Sequence, residues 1–246
     1  LEKGQETYAA ARALGDRSLE FASAGSMALV CAEMGAVQEA ERWLGQAVAV
    51  ASAEPTPLRA RLLETWRGRV RAAAGDVAGM REHLERAVQL ATDQGRPAAR
   101  CEGLALLALE AARLGAERKD EELLSVAQRS ANEVKSLLAM LPGHPPWGAQ
   151  ADAALARVAL SRGELEAAAV AGRAALAALE AAMTEDAYLD VKLPAADALL
   201  AAGSGEEQTA VRDNLRFFLA MLMPRFIDEK IRVQWLTGPV GRELTR

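Results

Sequence analysis

Five glycines recur along this chain, at Gly35, Gly75, Gly115, Gly163 and Gly203, separated by 40, 40, 48 and 40 residues. A fixed period of this size belongs to repeat arrays, in which each unit is too small to bury its own apolar face and stacks on its neighbours. Hydrophobic residues fill 51% of the 246 positions but aromatics only 4%, so alanine and leucine must carry the packing. Alanine is the best helix former and lets helices approach closely. β-Branched runs and strict alternation have little presence, so the pattern predicts helices throughout. The expected fold class is all-α: an α-solenoid of about five antiparallel helix pairs forming one repeat domain over residues 1–246.

The units fall at about residues 18–55, 56–97, 98–143, 144–184 and 185–224. In the first, Phe21, Met27, Ala28, Leu29 and Cys31 make an apolar helix that ends near Met34, and Gly35 supplies a residue able to adopt positive φ. Val37, Ala40, Trp43, Leu44, Ala47 and Val48 then recur at the i, i+3, i+4 spacing of a return helix. The same grammar repeats through Leu58, Leu62, Leu63, Trp66 and Val70 before Gly75, and through Leu104, Leu107, Ala108 and Ala111 before Gly115. It returns with Leu155, Ala156 and Val158 before Gly163, Leu165 after it, and Leu189, Leu193, Ala196 and Leu199 before Gly203. The third return helix is expected to begin after the charged stretch Glu117 to Glu122. The eight extra residues of the longest interval are assigned to the "LPGHPPW" segment, Leu141 to Trp147, whose three prolines and glycine exclude a helix interior. Residues 1–14 are expected to be the return helix of a truncated repeat, since Gly15 lies 80 residues before Gly95, two full periods. Residues 225–246 are expected to form a capping or linker segment, so the chain reads as a piece of a larger protein.

The registry resembles that of the tetratricopeptide repeat, with a small residue in the first helix, glycine at the turn and a small–large–small pattern in the second. Ala28, Gly35, Ala40, Leu44 and Ala47 fill it in the first unit; Gly68, Gly75, Met80, Leu84 and Ala87 in the second; Ala156, Gly163, Ala168, Gly172 and Ala175 in the fourth. The period is 40 where that family has about 34, and its tryptophan and tyrosine positions are unfilled. HEAT-type repeats, at about 40–47 residues, match the period but not the small-residue register. The resemblance implies a right-handed superhelix. Long repeats of this kind are similar to the sensor regions of large bacterial regulators: LuxR-type transcription factors, nucleotide cyclases and signal-transduction ATPases. The tail "RVQWLTGPVGREL" resembles the segment that leads from such arrays into an effector domain.

A net charge of −5 argues against direct nucleic-acid binding, which needs a basic footprint to displace phosphate counterions. No apolar stretch approaches the roughly 20 residues of a membrane span, and the expected location is cytoplasmic. Cys31 and Cys101 are too few for a disulfide framework and fall in apolar helical contexts, where a thiol behaves as a small hydrophobe.

Chemistry is sparse. His83 and His144 have no metal-ligand set at suitable spacing, and no metal is expected. "GSG" at Gly203 to Gly205 lacks the strand and lysine of a phosphate loop. The acid pairs Glu121-Glu122, Glu185-Asp186 and Glu206-Glu207 suit helix starts, where carboxylates offset the macrodipole. No catalysis and no cofactor are expected. In a tetratricopeptide superhelix the first helices line a concave groove, and the resemblance places there Glu33, Thr65, Arg69, Glu102, Arg113, Gln150, Arg157, Ser161, Asp190 and Asp197. Arg69, Arg113 and Arg157 come from three successive units and suggest a stripe that holds carboxylate or phosphate in paired hydrogen bonds; the alternative is that they pair with acidic neighbours on a wet inner face. The groove would take a protein, a peptide or a small ligand, with the parent's adjacent domains as further partners. The apolar tail from Phe217 to Leu236 is a second candidate surface, for capping, effector docking or a homodimer.

Overall fold

The structure, a computed structural model, describes residues 1–141, 146–181, 188–223 and 229–237. Among them are twelve helices and no strand. The helices are α1 (Glu2–Leu14), α2 (Arg17–Glu33), α3 (Val37–Ala53), α4 (Pro57–Ala73), α5 (Val77–Asp93), α6 (Pro97–Arg118), α7 (Glu121–Leu138), α8 (Trp147–Ser161), α9 (Leu165–Ala181), α10 (Leu189–Ala202), α11 (Gly205–Leu222) and α12 (Glu229–Thr237). The all-α expectation holds. The chain divides into two compact units, one of Leu1–Arg96 with the segment from Val233, the other of Pro97–Arg232. Within the first, α2 packs on α1, α3 and α4, and α4 on α5. Within the second, α6 packs on α7, α8 on α9 and α9 on α10, while α6, α8 and α10 also lie against one another in sequence.

One turn motif recurs. Gly15, Gly35, Gly75, Gly95 and Gly163 all have φ between 60° and 75°. At each, the glycine N–H and the following N–H return to carbonyls of the last helical turn, as in Gly35 to Ala32 and Ala36 to Cys31. These paired bonds satisfy two carbonyls that a helix end leaves orphaned, and only glycine adopts the left-handed conformation there without a steric penalty.

Two of the five spaced glycines do something else. Gly115 does not end a helix: α6 runs on to Arg118, and Lys119 takes the left-handed turn at φ 56°. The Asp120 N–H bonds back to the Gly115 carbonyl, so Gly115 is the acceptor inside the motif, not its turn residue. A Cβ at Gly115 would lie 3.0 Å from Leu124 Cδ2 and 3.1 Å from the Leu124 nitrogen; its smallness serves the α6–α7 crossing. Gly203 is extended at φ −74°, ψ 165°, and a Cβ there would meet the Leu199 carbonyl at 2.5 Å. The surplus of the third interval is likewise redistributed. The return helices start at residues 37, 77, 121, 165 and 205, spacings of 40, 44, 44 and 40, so half is absorbed by the longer α6 and half between α7 and α8. Residues 142–145, including His144, lie outside the described residues, as do Glu185 and Asp186 and the tail from 238. In the apolar stripes, Leu58 and Leu165 are exposed at the first turns of their helices.

The two interiors differ in kind. In the first unit Tyr8, Phe21, Leu63 and Trp66 cluster with Ala24, Ala47 and Val50. Phe21 and Trp66 lie 4.7 Å apart between ring centroids, and Tyr8 meets Trp43 edge to face at 5.1 Å. Arg59, buried among them, sets its guanidinium 5.6 Å from the Phe21 centroid and donates to the Glu54 carboxylate and carbonyl. In the second unit one cluster joining α8, α9 and α10 is largely methyl on methyl, through Ala156, Ala159, Ala168 and Ala198, with Leu160 packed against it. Gly25 and Gly68 let the first unit close: a Cβ on Gly25 would fall 2.2 Å from the Trp66 ring, and one on Gly68 2.5 Å from Leu84 Cγ. Cys31 and Cys101 are free and buried, and burial pushes the Cys101 thiol to about 11.

At the end of the second unit, α11 packs on α10 through Val211 and Leu215. Its start is a reciprocal cap, in which the Ser204 hydroxyl accepts from the Glu207 N–H and the Glu207 carboxylate accepts from the Ser204 N–H. Arg173 of α9 also donates to Glu207, at 3.0 Å. That hydrogen bond first, then the backbone one, holds the Glu207 carboxyl near 2 against an ordinary 4.5.

Two tests follow from this packing. Gly25→Ala should destabilise the chain by about 1–3 kcal/mol through overpacking, whereas Gly45→Ala, with open space around the added methyl, should stabilise it by about 0.5–1 kcal/mol; urea unfolding measures both. A depressed carboxyl stabilises above its unfolded pKa and loses that contribution as pH falls through the folded one. Glu207→Gln should therefore lower Tm at pH 6, and the gap from wild type should close between pH 4.5 and about 2 in circular-dichroism melts.

Candidate functional site

The residues assigned to the first-helix row fall into two sets. In the first unit Glu33, exposed near the end of α2, receives a hydrogen bond from Arg69 Nη2 of α4 at 3.1 Å. One turn earlier Thr65 is buried, its hydroxyl donating to the Arg61 carbonyl at 3.2 Å. In the second unit Arg113 is held within α6, by Glu110 at 2.9 Å and Glu117 at 3.1 Å. Arg157 is half-buried on α8, where its carbonyl accepts from the Ser161 hydroxyl at 2.8 Å. Gln150 is buried and donates through Nε2 to Asp190 of α10 at 3.4 Å. Asp152, also buried, accepts from Lys135 Nζ of α7 at 2.6 Å. Glu102 is half-buried on α6 and Asp197 exposed on α10.

The structure thus brings Arg69 to Glu33 and Gln150 to Asp190, each pair joining the first helices of neighbouring repeats. Arg69 belongs to one unit, Arg113 and Arg157 to the other. Both Arg69 and Arg113 already bind carboxylates, and buried polar groups such as Gln150 and Asp152 are stable only with such partners.

A second site has no periodic signature. The ends of α1 and α3 and the start of α2 enclose a half-open cleft of about 410 Å³, lined by Tyr8, Arg12, Gly15, Arg17, Glu20, Gln46, Ala49, Val50 and Ala53. Glu20 is only 3% exposed. Its Oε2 accepts from Arg17 Nη1 at 2.8 Å, and its Oε1 stands 3.5 Å from the Tyr8 hydroxyl. That hydroxyl donates to Gln46 Oε1 at the better distance of 3.0 Å. Burial, and then the Glu20 charge, raise the Tyr8 pKa, while the adjoining Arg12 guanidinium opposes them. Burial of Glu20 and the approach of Tyr8 and Gln46 to it have no sign in the sequence.

His83 is not a free surface residue: its Nδ1 is 2.7 Å from Glu64 Oε2, linking α5 to α4, and Glu64 also accepts from Arg67 at 2.6 Å. Among the described residues no group of three His, Cys, Asp or Glu could hold a metal ion, and no helix is long and apolar enough to cross a membrane. No protein-family model matches the chain, and no curated protein does.

Because Arg17 is the ionic partner of a buried acid, Arg17→Ala should destabilise by about 1–3 kcal/mol. Arg17→Ala in a Glu20→Gln background should cost less, and a double-mutant cycle by urea unfolding reads the coupling.

Proposed function

We propose that the chain is a non-catalytic binding module, a tetratricopeptide-like α-solenoid serving as the sensor or scaffold of a multidomain bacterial transcriptional or signalling regulator. The observation that carries this reading is the polar bridging between successive first helices, Arg69 to Glu33 and Gln150 to Asp190. Side chains fixed in this way present donors and acceptors already oriented, which lowers the ordering cost of binding an extended partner. A partner carboxylate would exchange with Glu33 at Arg69, or with Glu110 and Glu117 at Arg113. Partner contacts that differ between opened and tightened spacings of the helices would shift the population presented to a neighbouring domain.

A second reading, self-association, is favoured by α11, which leaves Phe217 68% and Met221 48% exposed. Fluorescence anisotropy with labelled acidic peptides tests the first reading: saturable, salt-sensitive binding should weaken at least tenfold when Arg69, Arg113 and Arg157 are all alanine. Binding unchanged in that variant would retire the arginine assignment. A strict monomer in sedimentation at micromolar concentration would remove self-association.

A further inference from the structure

We propose that the cleft between α1, α2 and α3 binds a small organic carboxylate, its head group held by Arg12 and Gln46 and its aliphatic body laid on Ala49, Val50 and Ala53. The cleft's charges are two guanidinium groups and one carboxylate. Arg17 and Glu20 neutralise each other through their 2.8 Å bond, which leaves Arg12 as the uncompensated charge. Arg12 makes no ion pair among the described residues; it hydrogen-bonds the neutral Tyr8 hydroxyl, which leaves its charge uncompensated. One surplus positive charge suits a monoanion.

The donors complete the match. Tyr8 has one hydroxyl proton and gives it to Gln46 Oε1, which leaves the Nε2 donors of the amide for another partner. The lining therefore holds a guanidinium and an amide with N–H groups to give, the donors that a planar carboxylate with two oxygens accepts from. The remaining wall is Ala49, Val50 and Ala53, which offers apolar contact and no side-chain hydrogen bond for a second charged or hydrated end. The volume falls in the range of sites for small molecules, about 300–1,000 Å³. A doubly charged phosphate would find a single guanidinium without a carboxylate partner in the lining, beside the Glu20 carboxylate, and should bind less well. None of these residues belongs to the first-helix row.

Nuclear magnetic resonance titration of the full chain with N-acetylvaline, N-acetylvalinamide and inorganic phosphate tests the assignment. N-acetylvaline should give saturable shifts at the Gly15, Ala49 and Ala53 amides, with the amide analogue and phosphate each at least tenfold weaker. Arg12→Gln, at an exposed position, should raise Kd at least tenfold with an unchanged circular-dichroism spectrum, and Arg42→Gln outside the cleft should not. Ala49→Glu, which sets a like charge on the floor, should abolish binding without touching Arg12. The proposal is overturned by absent saturation, by an amide or phosphate that binds as tightly as the acid, or by undiminished binding in Arg12→Gln or Ala49→Glu.

Discussion

The close crossing of helices at glycine and alanine is the constraint on which the fold rests. Where α2 meets α4, the Gly25 backbone lies against the Trp66 indole; where α4 meets α5, Gly68 lies against Leu84; where α6 meets α7, Gly115 lies against Leu124. At each point the space of one methyl group is already filled by a partner. Helices brought this near gain dispersion contacts along their whole length, which compensates for a core built from small side chains. A larger residue at any of these points would force the axes apart and loosen every contact downstream in that pair.

The buried polar groups work with this crossing. Glu20, Arg59, Gln150 and Asp152 sit where alanine would pack, and each has a partner on another turn or another helix. Such groups add little net stability, but an off-register pairing would strand Gln150 and Asp152, whose partners lie on other helices, so these two oppose slippage between alanine surfaces. In the first unit Glu20 and Arg59 are instead satisfied locally, by Arg17 and Glu54, with the Arg59 guanidinium also on the Phe21 ring.

How far these features can be read from the chain depends on whether they are local. The left-handed turns at Gly35, Gly75 and Gly163 are legible because conformation at one residue demands glycine there. Gly115 misleads because glycine is also demanded by a close neighbour, and spacing cannot separate the two causes; Lys119 carries the turn without looking like a turn residue. The eight surplus residues divide between a lengthened helix and a connection because Asp120, in capping α7, marks the break that the glycine does not. In the first-helix row, the faces follow from periodicity, but Glu110 and Glu117 on its own helix hold Arg113, a competition that register alone does not rank. The cleft is invisible for a plainer reason: Glu20 lies 12 and Gln46 38 residues from Tyr8, and nothing short of the folded chain adds them together.

The contrast between the two interiors has a mechanical consequence. Aromatic rings wedged between helices, as Phe21, Trp43 and Trp66 are, act as keys: sliding one helix along another must first withdraw them. Methyl surfaces such as those of Ala156, Ala168 and Ala198 have shallow ridges, so resistance to a small translation there falls to the polar links of Gln150 with Asp190 and Lys135 with Asp152. Under the same force the alanine contact at Ala156, Ala168 and Ala198 should yield before the ring-keyed contact of Phe21 and Trp66, a difference between two places in a single polypeptide.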